Sequence, residues 1–477
     1  MRRWQLLGLG VFACLWSSPN GVAQDALNRP VVSSQPLVDS GMIPSDPVPQ
    51  EFVTVEQFNR LQQQLDDLVA SGGVVEYEIA PPPVPQTEKK AYPDFKVTGF
   101  VHLDTAYFDQ SDENIATLGD IEDGTGFRRA RIAATGNLTE RASYIMEFDF
   151  AQAQARFVDV WTQIKDTPLG NVRMGRFRQP FGMSELTSVR ELPFLERPTS
   201  FALSPFRQTG IMLFDTAANE QMTWAVSGFR TLSDNFGNVY GDNGGYGTAE
   251  RITGLLVDRG DCGIAHVGFD HSFLNPGRDQ LQYASQDEVF VGQQPNLGPT
   301  GLSVQPLEGV PPFVNTGVFP VDTVNVFNVE GALSFGRGLV QSEYRWSNLD
   351  LPTGENVTVE GGYFMARYML TGEVIPYNRA AGVFGRVKPD HPLDVCRGDW
   401  GAWEIAGRVS TLDLNPLFGQ PGVTGKGREL TSYTVALNWY WWANGKCQFE
   451  YINGQLNDLV LGDSDINTFA GRMQFDF

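Results

Sequence analysis

From Phe95 to Phe477, apolar and polar positions alternate with a period of two. Between Lys96 and Tyr107, the residues Val97, Gly99, Val101, Leu103 and Tyr107 interleave with Lys96, Thr98, His102 and Asp104. Between Arg129 and Leu138, the residues Ala130, Ile132, Ala134, Gly136 and Leu138 oppose Arg129, Arg131, Ala133 and Thr135. Further on, Tyr144, Met146, Phe148 and Phe150 oppose Ser143, Glu147 and Asp149. This period predicts strands with two unlike faces. In a soluble sandwich the apolar face is the core; in a membrane barrel it meets lipid and the charged face lines the interior. Alternation alone leaves both open.

The connections decide between them. Long gaps at 109–125, 178–206, 231–249 and 274–320 alternate with short ones at 139–141, 216–220, 259–261 and 336–338. Long loops on one side and short turns on the other are the outer-membrane pattern. Sixteen candidate strands, an even number, close a sheet with both termini on one side. The last strand presents Phe469, Gly471, Met473, Phe475 and Phe477 on one face, ending in an aromatic carboxyl terminus. That ending is similar to the signal by which bacterial barrels are recognised by their insertion machinery. The expected fold is all-β: a 16-stranded antiparallel transmembrane β-barrel over 95–477, with Phe477 beside the first strand.

The first 94 residues read differently. Arg2 and Arg3, the apolar run Leu6 to Leu15, and Gly21-Val22-Ala23 predict a signal peptide over 1–23. Residues 24–50 and 71–94 are proline-rich linkers. Between them, over 51–70, Phe58, Leu61, Leu65 and Leu68 fall at 3-4-3 spacing, predicting a short coiled-coil-like helix. An amphipathic helix packing on its own chain fits the same spacing.

Composition narrows the function. Net charge is −21, which argues against nucleic acid as a partner. Aromatics make up 12% of the chain, too many for a disordered protein, and no run of about 18 apolar residues predicts a helical membrane span. The four histidines, His102, His266, His271 and His391, have no metal-site spacing, and no Gly-x-Ser-x-Gly elbow is present. No catalytic residue, metal or cofactor is assigned. The location expected is the outer membrane of a Gram-negative-type bacterium, with its lipid around the barrel.

Several motifs in order carry a family resemblance. Gly126-Phe127-Arg128-Arg129-Ala130-Arg131 is followed by Glu147-Phe148-Asp149-Phe150. Met174-Gly175-Arg176-Phe177-Arg178-Gln179-Pro180-Phe181-Gly182 precedes Glu185-Leu186-Thr187-Ser188 and Phe194-Leu195-Glu196-Arg197. Leu370-Thr371-Gly372-Glu373, Gly385-Arg386-Val387-Lys388-Pro389 and Gly401-Ala402-Trp403-Glu404-Ile405-Ala406 continue it. Together they resemble the phosphate-selective porin O/P family. The resemblance implies a homotrimeric porin passing small anions through a lumen narrowed by inward-folded loops. It places Arg128, Arg129, Arg131 and Arg178 on the ion path. Arg190, Arg197 and Arg207, in or beside the 178–206 connection, join them as candidates. Lysine is scarce, and the lumen-phase positions mix Asp104, Glu147, Asp149, Asp159, Glu343, Glu404 and Glu450 with Arg129, Arg131, Arg345, Arg408 and Arg472. A non-selective porin, or one for another solute, fits that mixed wall, and pairing of Arg129 and Arg131 with Glu147 and Asp149 is an alternative to ion contact.

The resemblance also implies that the long turn 371–400 enters the lumen, bringing Arg386 and Lys388 towards the path. With strands counted from a periplasmic start, Cys262, Cys396 and Cys447 all lie on the periplasmic side. A disulfide between Cys262 and Cys396 would then anchor that turn; three unpaired thiols are the alternative.

Overall fold

The computed structural model describes residues 55–70, 91–151, 155–231, 234, 236–238, 245–291, 309–423, 428–458 and 462–477. The expected signal peptide, the expected linker 24–50, most of the expected linker 71–94 and residues 51–54 lie outside them. The chain forms two units, Met1–Thr87 and Glu88–Phe477.

The described part of the first unit is helix α1, Val55–Ala70, where the 3-4 spacing placed a helix. Glu56 in its first turn complements the positive end of the helix dipole.

The second unit is a closed antiparallel barrel of sixteen strands. In chain order they are β1 Lys96–Gln110, β2 Gly124–Asn137, β3 Ala142–Asp149, β4 Arg156–Thr167, β5 Gly170–Arg178, β6 Arg207–Ala217, β7 Met222–Arg230 and β8 Tyr246–Asp258. The second half comprises β9 Ile264–Asn275, β10 Thr323–Phe335, β11 Gly338–Asp350, β12 Asn356–Met369, β13 Ala402–Asp413, β14 Arg428–Trp442, β15 Gly445–Asp458 and β16 Gly462–Asp476. Each strand pairs with its sequence neighbour, and β1 closes on β16. Phe477 seals the seam: its N–H donates to Gly99 O at 3.0 Å, and Gly99 N–H returns the bond at 2.9 Å. Closure leaves no sheet edge, which a lipid environment requires of a strand-built span.

The outer face is apolar, with aromatic residues near both rims. Trp403 stacks on Trp439 near one end, and Phe327 stacks on Trp346 nearer the other. The inner face holds the charged phase. Asp104, Glu343, Glu404, Glu450, Arg345, Arg408 and Arg472 are all buried there. Not all of that face is polar. Val324, Leu349, Val357, Val359, Leu412, Leu430, Leu456 and Ile466 also turn inwards and pack against Phe313, Val314, Phe319 and Val321 of the 276–322 connection. Alternation therefore marked which side each residue takes, but not that folded loop packs on part of the inner face.

Candidate functional site: the lumen and its inserted segments

Among the described residues, three connections enter the barrel. The first, 179–206, carries the one-turn helix Met183–Leu186 and is buried along most of its length. The second, 276–322, includes the buried stretch around Asp287 and Glu288. The third, 370–401, comes from the opposite end and includes the hairpin of Tyr377–Asn378 with Val383–Phe384. Arg251 on the inner wall donates to Ala381 O and Gly382 O at 3.0 and 2.8 Å, so this turn does enter the lumen.

Wall charges hold the first segment in place. Glu196 accepts from Arg129 at 2.7 and 2.9 Å, from Arg128 at 3.0 Å and from Arg472 at 2.9 Å. Burial opposes its ionisation, but the three guanidinium groups outweigh it and hold the carboxyl well below the usual range. Elsewhere Gly182 N–H donates to Asp270 at 2.9 Å and Ser184 N–H to Glu343 at 2.6 Å. Arg408 donates to Glu196 O at 3.0 Å, Asn438 to Pro193 O at 2.8 Å and Lys446 to Leu192 O at 2.8 Å. Gly182 sits at φ +67°, and a Cβ there would strike the Arg345 guanidinium, so a side chain is excluded.

The sequence candidates separate accordingly. Arg128 and Arg129, neighbours in sequence, both turn inwards because β2 carries a bulge: His102 pairs with Arg129 while Leu103 pairs with Phe127. Both are spent on Glu196. Arg131 pairs with Asp149 at 2.8 Å and Glu147 at 3.8 Å, as the wall-pairing alternative expected. Arg207 makes a two-point pair with Asp159 at 3.0 Å. Arg190 lies 3.9 Å from Asp476 and over the Phe100 ring. Arg386 pairs with Glu191 at 3.0 Å and also with Asp476, joining the periplasmic turn to the first segment. Lys388 is exposed. Arg178 and Arg197 differ from all these: they donate to backbone carbonyls of residues 184–187 and have no carboxylate within salt-bridge distance among the described residues.

The expected Cys262–Cys396 bridge does not form. All three described cysteines are free thiols. Cys262 lies in the one-turn helix Gly260–Cys262, past the end of β8, so strand phase no longer sets its direction. Cys396 sits in a separate tight turn closed by Asp394 and Asp399, its N–H on Asp394 at 3.0 Å. Cys447 takes the outward phase expected of it, opposite Trp439 and Met473.

Water reaches the inner face unevenly. From β10 through β16, inward residues are buried throughout, whereas on β2 to β5 Arg131, Ser143, Ile145, Glu147, Asp159, Trp161 and Arg173 stay half-buried. This open side was not legible in the sequence. Nor was Arg173, whose guanidinium lies 4.2 Å from the Trp161 ring centre and donates to Gln163 at 2.7 Å. Its place in a strand of inward phase was the one available signal.

Porin O of Pseudomonas aeruginosa is 23% identical over 410 residues, covering 80% of this chain and 88% of that protein. An uncharacterized protein of Caulobacter vibrioides is 25% identical over 408 residues, covering 80% of this chain and 74% of its own. Among solved structures, an anion-selective porin from Comamonas acidovorans aligns over 80% of this chain and 99% of its own, at 12% identity and a TM-score of 0.46. Family and barrel together place the chain in the outer membrane of a Gram-negative bacterium, as a channel rather than an enzyme. Residues 95–477 match the family model "Phosphate-selective porin O and P", and the chain belongs to that family.

Proposed function

We propose that the barrel passes small anions by passive diffusion along the side lined by β2 to β6, and that it works as a homotrimer. The observation that carries this reading is the state of Arg178 and Arg197. Most lumen arginines are cancelled by a touching carboxylate, but these two meet only carbonyl oxygens. They stand near Arg131 and Arg207, and burial together with Arg178, Arg207 and Arg129 lowers the Arg197 pKa. Against this cluster stand Glu147, Asp149, Asp159 and Glu185. Burial pushes the Glu185 carboxyl up to about 7, against the pull of Arg345, so it is only partly charged at neutral pH.

The balance is a modest positive potential beside the open path. Guanidinium N–H groups replace part of the hydration that an oxyanion loses on entering a narrow lumen. Partial cancellation keeps binding weak enough for the ion to leave. This favours general anion passage, with phosphate as one permeant among others. The test is the reversal potential of the purified protein in planar bilayers under a potassium chloride gradient. A sign showing chloride preference is expected; a zero or cation-preferring reversal potential would remove the reading.

A further inference from the structure

Helix α1 exposes an apolar seam that the described residues leave open. Phe58, Leu61 and Leu65 are 59%, 59% and 62% exposed, and by spacing Leu68 continues the line. Sixteen residues are marginal for an isolated helix in water, so the seam needs a cover. We propose that the cover is the same helix from other copies of this chain, forming a short parallel bundle in the number that the barrel assembly brings together.

Two features favour a second copy over a different protein. With Phe58 and Leu65 at a and Leu61 and Leu68 at d, the flanking e and g positions include Gln62 and Gln64, which are neutral and exposed. Identical helices in register then meet no like-charge repulsion beside the seam, and nothing there selects a partner of opposite charge. The charged residues Glu56, Arg60, Asp66 and Asp67 fall on the b, c and f positions, away from the interface. The second feature is tethering. Residues 71–95 give each helix a reach of up to about 80 Å from its barrel strand. Copies held in one assembly therefore meet at an effective concentration on the order of millimolar, enough for a seam of about two heptads.

The inference rests on the barrel being oligomeric, and its test separates the two. In full-length chain with Cys14→Ser, Cys262→Ser, Cys396→Ser and Cys447→Ala, a single cysteine replaces either Leu65 (seam) or Gln63 (outer face). Mild oxidation in outer membranes is expected to give a band of twice the chain mass for Leu65→Cys, at least tenfold more than for Gln63→Cys. Equal cross-linking at both positions, none at Leu65, or an adduct containing another protein would overturn the proposal. An intact barrel oligomer and unchanged reversal potential in those samples would leave the porin reading standing.

Discussion

Arg178 and Arg197 donate to the same two backbone carbonyls, that of Glu185 at 3.2 and 3.0 Å and that of Thr187 at 3.0 and 2.7 Å. Two like charges converge because Met183–Leu186 ends there, and the carbonyls at a helix carboxyl end are unpaired and carry negative partial charge. One arrangement thus fixes the inserted segment and, on the proposed reading, keeps positive charge beside the anion path.

Arg197→Ala is expected to loosen residues 183–206. It removes three charge-assisted bonds, each worth roughly 1.5–3 kcal/mol. Single-channel recordings should show larger, noisier conductance with weaker anion preference. A quiet channel of unchanged size would argue against the anchoring role.

Glu196→Gln leaves Arg128, Arg129 and Arg472 with less negative charge in a buried place. Breaking such a set costs about 3–5 kcal/mol. The variant should unfold at lower temperature, yet bind anions more tightly inside the barrel. Phosphate block of chloride current measures the second effect, and a fall in block would contradict it.

Arg131→Ala with Arg207→Ala is expected to shift the reversal potential towards cations, since both face the half-buried side. Lys388→Ala should leave it unchanged, because that side chain is exposed on the periplasmic turn. A larger effect from Lys388 would mean that the path runs elsewhere.

The second inserted segment should respond to pH through Asp287. Burial, aided by Glu288 and opposed by Ser432 and Arg408, pushes its carboxyl up to about 7. A carboxyl raised in the folded state holds its proton there while the unfolded chain loses it near pH 4. The contribution of this group to stability is therefore greatest below about pH 4 and falls as pH rises towards 7, then levels. Ionised Asp287 would stand beside Glu288, which already takes Arg408 and bonds from Ser410 and Thr434. Proteolysis within 276–322 should be faster at pH 8 than at pH 5, and Asp287→Asn should flatten that difference.

All three described thiols should alkylate without reduction, Cys262 and Cys396 quickly and the half-buried Cys447 slowly. A chain that migrates differently with and without reductant would restore a disulfide.

The sequence by itself determined the barrel. Period two sorted Asp104, Arg129, Glu343 and Arg472 to the inside and Val97, Ile132 and Phe475 to the outside, because side chains on a pleated strand must alternate. Long and short connections set the orientation, and the aromatic terminus at Phe477 set the closing strand. Local rules reach that far. They do not reach Glu196, whose three arginine partners lie 67 or 68 residues away on β2 and 276 away on β16. Only closure of the barrel brings those strands around one inserted segment. The same holds for Leu349 and Leu412, apolar residues of inward phase that are stable only because Phe313, Val314, Phe319 and Val321 displace water from them. A single bulge at Arg128 shifts the phase that alternation assigns, and a turn beyond a strand end frees Cys262 from it. Which charges cancel and which remain for an ion is a property of contacts distant in sequence, so the tertiary structure alone decided it.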